Sequence, residues 1–370
     1  MKTQIIRQLS NLFGFRTLIK IIVFESDDWG SLRIPSLYAL NELKKNNIDL
    51  TSGDSLRYNE NDGLATASDL STLFEVLESK KDRHGHSTVF TPISIMANPD
   101  FKRIKESNFQ EYHYELFTET LKRFSGCEDS FSLWKEGVMK KLFVPQFHGR
   151  EHLNVQVWMK ALRENDRETR IAFDLGCWGY NNKHPKNISY QAAFDLENQN
   201  ELEYQKNVII SGLQIFKSLF GYNASYFVPP NGPLNFALEE TASEAEIKYL
   251  FSSKIHSEPI GKGVYKKRIR IPGQKNQFGQ IYMTRNCFFE PSLAGKDWLN
   301  SCLFEIETAF RWHKPAVIST HRVNYISALN PANRDNGIRQ LNMLLKEIVK
   351  RWPDAEFMTS SELGDLIAKK

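Results

Sequence analysis

The chain is poor in everything that would cross-link it or hold it in a bilayer. Its four cysteines, Cys127, Cys177, Cys287 and Cys302, stand far apart with no Cys-x-x-Cys pair, which argues for reduced thiols and against a disulfide framework. No apolar run is long enough to span a membrane. The one N-terminal candidate, Leu9 to Phe15, follows Lys2 and Arg7, is broken by Arg16 and Lys20, and has no small-residue cleavage site after it. Neither a signal peptide nor a span is expected, and the expected location is the cytoplasm. No Gly-, Ser- or Pro-rich linker and no internal repeat divides the sequence, so one domain covering 1–370 is expected. Charge of one sign is scarce too: 48 Lys and Arg against 44 Asp and Glu leave a net +4. The one basic run, Lys266 to Arg270, has few aromatics among its cations and reads as a solvated edge strand, not a nucleic-acid surface.

What remains is a globular composition, 41% hydrophobic and 25% charged, with length for a sizeable core. Short β-rich runs alternate with longer helical ones. The strands read are Ile21–Ser26, Thr88–Thr91, Leu142–Phe147, Ile171–Asp174, Ser225–Val228, Tyr249–Phe251, Ala316–Thr320 and Ala355–Met358. Between them lie amphipathic stretches: a helix capped by Ser36, another capped by Ser68 with Leu70, Leu73, Phe74 and Leu77 on one stripe, and a third that stops at Gly221. Seven or eight β-then-α units predict a parallel sheet closed into a (β/α)7-8 barrel. The stretch from about 99 to 139 interrupts the alternation with helical sequence and is expected beside the site.

Chemistry gathers at strand ends. Val23-Phe24-Glu25-Ser26-Asp27-Asp28-Trp29-Gly30 delivers two adjacent acids to the carboxyl end of the first strand. His148 and His152, four residues apart, follow the run ending at Phe147, and His321 follows Ala316–Thr320. One Asp and two His make a three-ligand metal site with positions left open for water, and the second acid stays free to accept a proton. Strand carboxyl ends are where barrels and open α/β sheets build active sites.

Taken in order, these motifs resemble the polysaccharide deacetylase family of the glycoside hydrolase/deacetylase superfamily, a divergent member with an irregular parallel barrel. The resemblance implies that Asp27 is the catalytic base, that Asp28, His148 and His152 are the metal ligands, and that His321 is the catalytic acid. The family's Arg-Pro-Pro-Tyr-Gly loop is worn to Val228-Pro229-Pro230-Asn231-Gly232, without its base-orienting arginine. Arg33 and Arg285 are the residues that can replace it. Asp297, in Asp297-Trp298, is matched to the carboxylate that tunes the histidine. The implied reaction is hydrolytic removal of N-acetyl or O-acetyl groups from an acetylated amino sugar or polysaccharide, by a water that a divalent metal activates. Zn2+ suits the ligand set best, with Co2+, Ni2+ and Fe2+ also compatible.

Around this centre Trp29, Trp178 and Tyr325 are expected to stack on sugar faces. Arg33, Arg150, Asn231, Arg285, Arg322 and Asn324 are expected to meet hydroxyl, anionic or oxyanion groups. Two other readings stand beside it. One is a catalytically degenerate carbohydrate-binding barrel, favoured by the lost loop arginine. The other takes His148 to His152 as His-x-x-Glu-His, a zinc peptidase signature with Glu151 as base.

Overall fold

The computed structural model describes residues 11–53 and 55–369; Leu9 and Ser10 of the N-terminal run, with Lys2 and Arg7, lie outside them. The main sheet contains nine strands, labelled here in chain order: β1 (Ile21–Trp29), β2 (Phe90–Ile95), β3 (Gln146–Gly149), β4 (Tyr226–Phe227), β5 (Tyr249–Phe251), β6 (Ile281–Met283), β7 (Cys287–Phe288), β8 (Ala316–His321) and β9 (Glu356–Phe357). Their order is β6-β5-β4-β3-β2-β1-β8-β7, with β9 on β1, and every pair is parallel.

β6 and β7 stand at opposite ends of this order, yet only Thr284-Arg285-Asn286 separates them. Met283 and Cys287 therefore lie within about 14 Å of each other, the reach of four extended residues. The sheet has to curl until its ends nearly meet. A parallel α/β barrel results, closed at one seam by chain instead of by a ladder of hydrogen bonds.

Central strands are buried on both faces, as parallel sheets require; all nine residues of β1 are buried. Helices Ala67–Glu78, Trp298–Arg311 and Pro331–Arg351 cover one flank, where Leu70, Leu73 and Leu77 pack with Ile306, Leu341 and Leu344. Helices Leu202–Phe220 and Ala237–Glu244 cover another, through Ile209, Phe216 and Leu238. All four cysteines are buried free thiols. Among the described residues no helix is long and apolar enough to cross a membrane.

Several expected elements differ. Ile171–Asp174 closes the helix Arg167–Asp174, whose first turn is capped by Asp166 on the Thr169 N–H; the cap outweighs one β-branched residue. The helix expected to start at Ser68 starts two residues earlier, where Thr66 and Asp69 form a reciprocal capping box. Pro145, which has no N–H for the ladder, splits Leu142–Phe147: Phe143 makes an isolated parallel bridge to Phe90, and only Gln146 and Phe147 belong to a strand. Residues 99–139 form helices Phe101–Glu106, Phe117–Leu121 and Ser130–Met139, with Tyr114–Leu116 pairing antiparallel to Ala97–Pro99. None of them lines the central cavity. Phe117 and Trp134 instead back the core behind Trp29 and Phe143. The basic run is strand Tyr265–Ile269 of an antiparallel hairpin with Ile255–Pro259.

Candidate metal and catalytic centre

Successive residues of a regular strand face opposite sides, so two adjacent acids would not share a cavity without a break in the pleat. β1 supplies that break. Its register with β2 shifts between Ser26 and Trp29, and Asp28 has φ +74, a left-handed value that a non-glycine residue adopts at a cost. The bulge turns both carboxylates into one cavity of about 530 Å³. A second shift in register falls at His148, between Ser94 and Ile95 of the facing strand. Gly149 follows at φ +123, where a Cβ would stand 2.9 Å from the Glu151 carbonyl oxygen.

The two irregular strand ends bring Asp28, His148 and His152 together, with a ligand atom of each inside a 4.8 Å cluster. Asp28 Oδ1 lies 3.0 Å from His152 Nε2 and 3.6 Å from His148 Nε2. His148 Nδ1 sits 2.6 Å from the Val228 carbonyl oxygen, to which it donates, and this turns Nε2 towards Asp28. That Nε2 is buried with no hydrogen-bond partner. Burial pushes His152 down to about 4, which leaves its imidazole neutral. Asp28 is held well below the ordinary carboxylate value against its burial, by Arg33 and the two histidines. Arg33 donates to Asp28 Oδ2 at 2.8 Å, which leaves Oδ1 facing the imidazoles. A carboxylate, two imidazoles and an orphaned buried ring nitrogen fit a divalent cation with nitrogen and oxygen ligands.

Asp27 lies beside this cluster in a different setting. Arg285 donates to both its oxygens at 2.6 Å and to Glu25 at 2.6 Å. Burial alone would raise the Asp27 pKa, and the Arg285 guanidinium brings it below the ordinary value. Glu25 is fixed in turn by Tyr226 and Ser360 hydroxyls at 3.1 and 2.8 Å. His321 Nε2 lies 3.8 Å from Asp27 Oδ2. Its Nδ1 meets Glu290 at 2.5 Å, and Glu290 accepts from Arg57 at 2.7 Å and Asn324 at 2.9 Å. Burial works to lower the His321 pKa, but the charge and hydrogen bond of Glu290, with the charges of Asp27 and Asp28, together raise it.

The expected substrate residues divide sharply. Asn231, exposed, lines the cavity. Arg33 lines it too, but its charge is spent on Asp28. Arg285 is spent on Asp27 and Glu25, so it positions the acid instead of meeting substrate. Trp29 donates to Ser26 and packs edge-on against Trp134 and Phe143 in the core. Trp178 donates to the Leu32 carbonyl and stacks on His152, 6.1 Å between centroids, as a buttress for that ring. Tyr325 is buried against Thr320 and Phe90. None of these three aromatics has a free face for a sugar. Arg150 pairs with Glu151 and Arg322 with Asp62, both away from the cavity. Asn324 is buried as the brace of Glu290 and of the Ser292 N–H.

Asp297 is also displaced from its expected role. It is exposed, caps Trp298–Arg311 and binds Asn300; the carboxylate on His321 is Glu290. Glu151 is buried against Arg150 and does not line the cavity, so it is not placed as the base of a His-x-x-Glu-His peptidase. Sequence reading missed Glu25, Arg57, Tyr58, Gln191, His256 and Glu290. Glu290 carried a signal, an acid just beyond the short strand β7 and before Pro291, and Glu25 is a charge inside an apolar strand. Tyr58, Gln191 and His256 line the cavity from a short helix, a loop and a hairpin strand that carry no motif.

No family model matches the chain, and no curated protein matches it. Among solved structures, a candidate polysaccharide deacetylase from Mycobacterium smegmatis is similar with TM-score 0.43 and 10% identity, over 94% of this chain and 90% of that one. A 4-alpha-glucanotransferase from Thermococcus litoralis gives 0.45 and 11%, over 93% and 40%. A CE4 family pseudoenzyme from Bacillus anthracis gives 0.36 and 9%, over 93% and 65%. These likenesses concern the fold.

Proposed function

We propose that the chain is a metal-dependent hydrolase that removes acetyl groups from a carbohydrate. One observation carries this reading: a metal-ligating triad, a guanidinium-held carboxylate and a carboxylate-held imidazole converge on one cavity. Asp28, His148 and His152 are the residues that would hold the cation, and such an ion supplies Lewis acidity towards water and a carbonyl oxygen. Asp27, kept ionised by Arg285, accepts the proton of the attacking water at its carboxylate. His321, kept protonated by Glu290, gives the Nε2 proton to the departing amine or alcohol. Arg33 and Trp178 hold Asp28 and His152 in place.

The cavity wall supports a sugar. Ser55, Asn181, Ser189, Gln191, Asn231 and Ser257 offer amide and hydroxyl groups suited to hydroxyls. The reason for expecting a degenerate barrel was an acid without its arginine, and Arg285 supplies that arginine from another place. The test is acetate release across a panel of N- and O-acetylated sugars, with elemental analysis of bound metal. Asp27→Asn should keep the metal and lose about 10²–10⁴ of turnover. Absence of both metal and acetate release would overturn the reading.

A further inference from the structure

We infer that the hairpin Ile255–Pro259/Tyr265–Ile269 docks the protein on an anionic membrane surface. Residues 254–275 hold seven Lys and Arg against one carboxylate, Glu258, a larger excess than the whole chain carries. Arg268 neutralises Glu258, and Arg270 is taken by Glu239. Lys262, Lys266 and Lys267 are exposed and make no ion pair among the described residues. Their charge faces solvent without a counter-ion among the described residues.

Large aliphatic side chains share the Lys267 face of this hairpin, with Lys266 on its other face and Lys262 at the tip. Ile255 and Ile269 are cross-strand partners, 65% and 82% exposed, so they stand side by side on one face. Ile260 and Val264 flank Lys262 at the tip and are exposed as well. Single exposed apolar residues need no explanation, but four on one hairpin among unpaired lysines do. Ammonium groups at headgroup level with aliphatic side chains beneath them are what an anionic bilayer accepts. Nucleic acid is disfavoured, because the exposed side chains are aliphatic and offer no stacking platform.

The hairpin is held for this role. Tyr265 donates to Asp195 at 2.6 Å, the Lys262 N–H donates to Glu197, and Gln199 donates to the Ile260 carbonyl. Its base reaches the centre, since Ser253, His256 and Ser257 line the cavity. Ser257 alternates with Ile255 on the outward face, so a docked hairpin sets the cavity mouth against the bilayer. If the hydrolase reading holds, the sugar is then one presented at a membrane; the docking does not depend on that reading.

Sedimentation of the full chain with vesicles tests it. Phosphatidylcholine vesicles containing phosphatidylglycerol should carry the protein down at low ionic strength, pure phosphatidylcholine vesicles should not, and salt should weaken the association. Combined Lys262→Gln, Lys266→Gln and Lys267→Gln should weaken it by roughly tenfold or more, and Ile255→Ser with Ile269→Ser should also weaken it, with melting temperatures showing that both variants fold. The inference is overturned if phosphatidylglycerol vesicles fail to sediment the protein, if neutral vesicles do so equally, if folded variants bind like wild type, or if polyuridylate is bound and vesicles are not.

Discussion

Arg285 grips both oxygens of Asp27 at 2.6 Å from 258 positions further along the chain. A lysine cannot reproduce that fork. Arg285→Lys should keep bound metal and lower kcat about tenfold, and Arg285→Ala roughly a hundredfold, part of what a positioned base contributes. Acetate release beside metal analysis checks this; an alanine variant with normal kcat would remove Arg285 from the machinery.

Metal removal should register in stability as well as rate. Saturation at about a hundred times Kd stabilises a folded protein by about 2.7 kcal/mol, so a chelator should lower the melting temperature and added Zn2+ should restore it. His152→Ala should abolish the response by deleting one ligand. A chelator-insensitive wild type would mean that the triad holds no ion.

The two proton-transfer groups set a pH window. Asp27 lies below the ordinary 3.8, so its role as a base is lost only as pH falls through that lowered value. His321 lies above the ordinary 6.5, and the protonated form it needs as an acid is lost as pH rises through that raised value. Glu290→Gln removes the charge that raises it and should move the alkaline limb of kcat/KM to lower pH. An unmoved limb would separate Glu290 from the titration of His321.

His321→Ala should depress turnover of substrates with poor amine leaving groups far more than that of activated esters, which need little protonation. Equal losses on both would leave His321 a binding or structural residue.

Gly337, inside the helix Pro331–Arg351, sits where an added Cβ would fall 1.7 Å from the Asn324 carbonyl oxygen. Asn324 braces Glu290, so Gly337→Ala should cost about 1–3 kcal/mol or more in denaturant melts and reduce activity by loosening the partner of His321. Unchanged stability would show that this packing yields easily.

The candidate reacting groups, Asp27, Asp28, His148 and His321, were legible in the sequence because each is an acid or imidazole at the end of a strand-like run. Their supports were not. Trp29, Arg150 and Arg322 stand near those groups along the chain, and adjacency in a strand or turn does not place two side chains on one face. Asp297 lies at a plausible interval before His321, but the first turn of a helix claims its oxygens. Arg285 and Glu290 reach Asp27 and His321 from the seam strand and its flanks, a proximity that exists only once the sheet has curled.

That seam makes the ring of strands a ribbon clasped by a tripeptide. A single cut between Met283 and Cys287 would leave every ladder hydrogen bond of the sheet in place. It would nevertheless turn a tethered encounter of the two edges into one that depends on their own weak affinity. Arg285 is the middle residue of the clasp, so the same cut would leave the guanidinium on Asp27 anchored from one side of the chain only. Folding and the setting of Asp27 thus meet at one tripeptide: a nicked or circularly permuted chain opened there keeps the strand ladders and holds Asp27 less firmly.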